Sequence, residues 1–143
     1  MTDGIKGRMR VRQATIAEKV EAAVKIVRQS DAPCLIWCGL NPEQDALRKA
    51  LPEAVSVQGS DDEDEKESRL TDFIQGRAPI LITKPRIAGF GLNLQHCSRM
   101  IFVGILDSYE QYYQAIRRCY RFGQTRPVDV HIIVSEDEVD IVQ

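Results

Sequence analysis

At 143 residues the chain is long enough for one domain with a full core and too short for two. It is 43% hydrophobic and 28% charged, with no apolar run near the roughly 20 residues that cross a bilayer, which sets membrane-spanning and disordered classes aside. The net charge of −2 gives no global sign of a nucleic-acid binder, so function has to be sought in local clusters.

Lys6, Arg8, Arg10 and Arg12 make residues 1–14 a basic leader, read as a flexible link because nothing apolar there can hold it down. The leader has no apolar signal core, so a cytoplasmic site is expected. From Thr15 to Gln29, Ile16, Val20, Ala23, Val24 and Val27 recur at helical spacing, with Thr15 and Glu18 placed as a capping box. Pro33 then introduces CLIWC, an apolar run suited to a fully buried strand. Asn41-Pro42 opens a helix through Leu47 to Leu51, stopped by Pro52.

Val55 to Gln58 reads as a second strand. Ser60 with Glu63 suggests another capping box, and the helix runs on through Leu70, Phe73 and Ile74 to Gly76. The acidic run from Asp61 to Glu67 is the solvated start of that helix. Ile80–Thr83 is a third strand, followed by the glycine-bearing stretch KPRIAGFGLNLQ. Met100–Val103 is a fourth strand, Ser108–Arg121 a helix ended by Gly123, and Val128–Val134 a closing strand.

Strands alternating with helices over short connections predict an α/β fold, a parallel sheet with helices on both faces. Loops after strands gather at one edge of such a sheet, so those after Thr83 and Val103 should share it. Cys34, Cys38, Cys97 and Cys119 include no CxxC pair, and only His96 and His131 could join them, so no metal site is expected. Cys34 and Cys38 lie on one face of CLIWC as small buried hydrophobes, and Trp37 reads as core.

The stretch YEQYYQAIRRCYRFGQTRPV is the most informative. On a helix, Tyr109, Tyr113, Ile116 and Tyr120 form one apolar-aromatic stripe, and Gln114, Arg118 and Arg121 form a neighbouring one. Guanidinium groups held on a rigid helix suit bidentate recognition of phosphate oxygens; an exposed basic helix pairing with surface acids is the alternative. Gly89 and Gly91 permit close backbone approach in the loop after the third strand, where N–H groups can face phosphate; a tight turn is the plainer reading.

Taken together, Ala88–Gln95, Gln114–Gln124, the upstream VSVQGSDDEDEKESRLTDFIQG and CLIWCGLNPEQDALRKAL resemble the C-terminal half of Snf-type superfamily-two helicases and translocases, especially helicase-like proteins of phages and prophages. Ala88–Gln95 matches motif V, Gln114–Gln124 matches motif VI, and the resemblance spans roughly residues 15–135. It implies that 15–143 is a RecA-like helicase C-terminal domain, one fragment of a longer two-lobe protein in a bacterial or phage-infected cell.

The resemblance also implies site roles. Arg118 and Arg121 correspond to arginine fingers reaching an ATP held by the other lobe, while Gln114, Gly89, Gly91 and Gln124 lie at the nucleotide. Motif V contacts the nucleic-acid backbone, through Asn93 and Gln95, with Thr83 and Lys84 at its entrance. Arg117 departs from the small or variable residue usual at its position and receives no role. No Gly-Lys-Ser/Thr phosphate loop occurs in the chain, so ATP and Mg²⁺ are expected to be held mainly by the N-terminal lobe and the chain alone to be inactive. DNA is the expected nucleic acid. A non-catalytic nucleic-acid or protein binding module is the alternative; a Rossmann-type small-molecule enzyme is disfavoured by the lack of GxGxxG after the first strand.

Overall fold

The computed structural model describes residues 15–84, 94, 96–103 and 128–133. They form three helices, α1 (Ile16–Val27), α2 (Asn41–Ala50) and α3 (Glu63–Ile74), and five strands, β1 (Cys34–Cys38), β2 (Val55–Ser56), β3 (Ile80–Thr83), β4 (Arg99–Val103) and β5 (Asp129–Ile133). The strands make one sheet in the order β2-β3-β1-β4-β5, every pair parallel. The predicted α/β architecture is therefore the observed one.

Strand β1 is central. Its five residues are all buried, as an apolar run covered on both faces must be. Alternation sends Leu35 and Trp37 to one face, where they join Leu81, Met100, Phe102 and Phe73 of α3. Cys34, Ile36 and Cys38 face the other side with Ala23 and Val27 of α1 and Leu47 of α2. Burying Leu35 or Ile36 completely contributes roughly 1.5–3 kcal/mol each. Trp37 is core, its ring 6.4 Å from Phe102 between centroids.

The helix ends differ from the expected caps. Thr15 holds the N-cap place of α1 but makes no side-chain cap, because its φ of −102° and ψ of 6° are not the extended geometry that aims a hydroxyl at the first turn. The Ser60–Glu63 box is also absent. Asp61 Oδ2 instead accepts from the Gln58 N–H and the Arg69 guanidinium, and α3 begins only after Asp62. At its far end α3 closes as sequence suggested. Gly76 has φ +84°, its N–H reaches Phe73 O, and the Arg77 N–H reaches Asp72 O, the paired bonds of a Schellman turn.

One cap was not foreseen. Arg99, 8% exposed at the start of β4, donates to the carbonyls of Ile26, Val27, Ser30 and Ala32. A cation at a helix C-terminus satisfies its orphan carbonyls and its dipole, so α1 is fastened to the amino edge of the sheet.

Helices α1 and α2 also meet through charge. Lys19 occupies the buried stripe of α1 with Ala23 and Val27, and its Nζ lies 2.7 Å from Glu43 Oε2 of α2; both side chains are 1% exposed. Removing one partner of such a pair strands the other charge away from water. Glu43→Ala or Lys19→Met should each lower unfolding free energy by about 3–5 kcal/mol in denaturant titration, whereas Lys19→Met combined with Glu43→Gln should lie much nearer the wild-type value.

Candidate functional site

Register fixes where the loops leave the sheet. Thr83 lies opposite Trp37, and Val103 opposite Cys38, so β1, β3 and β4 end level with one another. The segment carrying motif V departs after β3, and the one carrying motif VI after β4. Both leave from the edge where Gly39 and Leu40 follow β1. The edge predicted to gather the functional loops is thus built by three adjacent parallel strands.

The described part of that edge is a polar seam. Gln44 is fully buried on α2, and its Nε2 donates to Ser56 Oγ (3.0 Å), Val57 O (2.8 Å) and Ile82 O (3.1 Å). Thr83 is likewise buried, and its hydroxyl donates to Val57 O at 2.9 Å. Both side chains tie the ends of β2 and β3 together. Gln58 Nε2 donates to Asp45 Oδ1 at 3.0 Å, closing the same seam on its outer side.

Beside it lies a cationic corner. Lys84 is half-buried, and its Nζ donates to Asn41 Oδ1 at 2.6 Å, linking the loop after β3 to the first residue of α2. Glu43 Oε1 accepts from the backbone N–H groups of Gly39 and Leu40, each at 3.1 Å, while its other oxygen meets Lys19. Leu40 has no side-chain acceptor, so only the Glu43 half of a capping box exists here. Burial pushes the Cys38 thiol well above its usual range, and the Glu43 carboxylate adds to the shift. Burial likewise raises Cys34, to about 12, against the opposing field of Arg99. Neither thiol is a nucleophile at neutral pH.

Of the site residues predicted from sequence, the structure places Thr83 and Lys84 together at this edge. Thr83 turns its hydroxyl inward, and Lys84 alone of the two offers a donor near solvent. Arg118, Arg121, Gln114, Gln124, Gly89, Gly91, Asn93 and Gln95 lie outside the described residues. Lys19, Glu43 and Gln44 were not singled out by sequence, and Asn41 only as the start of a helix. A lysine on the apolar stripe of α1 was the available signal, and so was a glutamate three residues after the α2 cap. His96, considered above only as a possible partner of the cysteines, packs its ring 4.9 Å from Phe73, and burial lowers its pKa.

Among the described residues no group of three or more His, Cys, Asp and Glu could hold a metal ion, and no helix is long and apolar enough to cross a membrane. A hollow of about 610 Å³ opens at the opposite, amino edge, between Gln29, Ser30, Arg99, Asp129 and His131. It is remote from the strand ends that launch motifs V and VI, and the Arg99 terminal nitrogens there are already engaged by carbonyls.

Comparison with known proteins agrees with this architecture. The family described as "Helicase conserved C-terminal domain" matches residues 18–123. Protein p41 of Acyrthosiphon pisum secondary endosymbiont phage 1 is 32% identical over 131 residues, covering 87% of this chain and 27% of that protein. YwqA of Bacillus subtilis (strain 168), whose name places it with ATP-dependent helicases and translocases, is 28% identical over 134 residues, 87% of this chain and 14% of its own length. The chain therefore spans only a minor part of these relatives. The C-terminal part of the Fun30 ATPase domain superposes with a TM-score of 0.74 at 24% identity, covering 87% of this chain and 44% of that one, a likeness of fold. Five parallel strands in this order, with motifs V and VI launched from one edge and a family match over most of its length, make this chain a RecA-like member of the helicase conserved C-terminal domain family.

Proposed function

We propose that the chain is the second motor lobe of an ATP-dependent nucleic-acid helicase or translocase. The observation that carries the reading is the level ending of β1, β3 and β4, which puts the departure points of motifs V and VI on one edge, on either side of β1. A nucleotide bound mainly by an N-terminal lobe of the same protein, with its Mg²⁺, would face that edge. Arg118 and Arg121 then supply guanidinium groups to the charge that builds on the γ-phosphoryl oxygens and leaving group. Gln114 and Gln124 lie at the nucleotide, Gln114 beside the arginines, and Gly89 and Gly91 let the motif V backbone come close to phosphate. Because the arginines come from a second body, hydrolysis depends on closure of the two lobes.

The nucleic acid lies against the same edge, held through its phosphates by Lys84 with Asn93 and Gln95. Thr83 contributes by locking the end of β3, from which that loop departs. Contacts of this type read charge and shape rather than sequence, so binding should be salt-dependent and largely indifferent to base order. DNA, as in Snf-type proteins, is the preferred substrate of this reading, and the cytoplasm its site.

In the two-lobe protein, Arg118→Ala or Arg121→Ala should reduce nucleic-acid-stimulated ATP turnover by about 10³–10⁵ with the fold intact by circular dichroism. The chain alone should hydrolyse no ATP. Unchanged turnover in both variants would remove the finger assignment and leave a non-catalytic binding module. Lys84→Ala should weaken binding of unrelated DNA sequences alike and reduce the slope of log affinity against log salt by about one; an unchanged slope would remove Lys84 from the interface.

A further inference from the structure

The edge contains a buried ion pair, Lys19 with Glu43, that the proposed chemistry does not use. Two charges removed from water are commonly no better for stability than a well-packed apolar pair, so cohesion alone is a weak reason for Lys19 and Glu43. What distinguishes the pair is the third partner. Glu43 Oε2 meets Lys19 Nζ at 2.7 Å, and Oε1 accepts from the Gly39 and Leu40 N–H groups at 3.1 Å each. The next residue, Asn41, accepts from Lys84 Nζ at 2.6 Å.

We infer that Lys19 and Glu43 are positioning residues for the nucleic-acid contact, acting through the loop Gly39–Asn41 on Lys84. The inference rests on the reading of this edge as the nucleic-acid face. Lys19 fixes the carboxylate, the carboxylate fixes two successive amides, and those amides set where Asn41 holds the Lys84 ammonium. A lysine side chain on four rotatable bonds is otherwise free to wander, and holding it before binding lowers the entropy lost when phosphate arrives. The ammonium donates one hydrogen to Asn41 and keeps donors for an anion. The same carboxylate occupies the amides at the start of α2, where a helix N-terminus would otherwise attract phosphate. Negative charge already sits there, so the phosphate is directed to Lys84.

The test is fluorescence anisotropy of a labelled DNA oligonucleotide at low ionic strength, with this chain as wild type and variants. Asn41→Ala, Glu43→Ala and Lys19→Met should each weaken binding by about two- to tenfold, the effect of releasing one pre-ordered side chain. In a Lys84→Ala background, none of the three should weaken it further, since all act through that ammonium. Adding Glu43→Gln to Lys19→Met should recover most of the lost affinity, because the amide oxygen still accepts from Gly39 and Leu40 without a stranded charge. Asn41 is exposed, so its variant remains informative if Glu43→Ala unfolds. Losses that are the same with and without Lys84, or no loss in Asn41→Ala where Lys84→Ala binds weakly, would overturn the positioning role. Wild-type affinity in Lys84→Ala, or no salt-sensitive binding by the wild type, would overturn the nucleic-acid reading beneath it.

Discussion

A strand paired along both edges and covered on both faces can hold only side chains that tolerate complete removal from water while its backbone groups bond within the sheet. Cys34–Cys38 meets that constraint without a single charged or amide side chain. The remaining architecture is arranged around it. Helices α1 and α2 cover the Cys34, Ile36 and Cys38 side, and α3 covers the Leu35 and Trp37 side. The pairing of β3 and β4 to this one strand brings their carboxyl ends level. The candidate edge is thus a by-product of the register that keeps β1 dry.

Polar groups in the core are concentrated at the two ends of the strands and do different work there. At the amino edge, Arg99 satisfies carbonyls at the end of α1 and around the turn into β1. At the carboxyl edge, Gln44 and Thr83 knit β2 to β3, and Glu43 pins the loop after β1. A buried polar group is better tolerated when it is hydrogen-bonded, and the Arg99, Gln44 and Thr83 bonds cross between elements, while Glu43 bonds the loop that enters its own helix. The middles of β1, β3 and β4 are apolar, and side-chain bonds hold the strand ends at the edge that launches motifs V and VI.

Much of this was legible in the sequence. CLIWC and ILIT are short apolar runs between turn residues, and the structure makes them β1 and β3 with the expected ends. The helix from Asn41 and the stop at Gly76 followed from proline and glycine stereochemistry, which operates within a few residues. Capping boxes were less readable. Asp61 serves Gln58 and Arg69 in place of a box at Ser60, and Thr15 lacks the backbone angles a cap requires. The Lys19–Glu43 pair was invisible because its partners lie on different helices and no local period links them. Motifs V and VI were readable as strings because their spacing is local, and the sheet register places the ends from which both depart.

The strand order carries a consequence for how the chain reaches its fold. Strand β1 is the first strand in the sequence, yet both of its neighbours come after β2, so the centre of the sheet stays open until β4 is in place and only the edge strand β5 follows. Until Arg99–Val103 has been synthesised and docked, one flank of CLIWC exposes unpaired backbone beside five apolar side chains. Such non-local closure slows folding and lengthens the life of a species prone to self-association. Helix α1 and the α2 that follows β1 are available earlier and can shelter the Cys34–Ile36–Cys38 side in the interval.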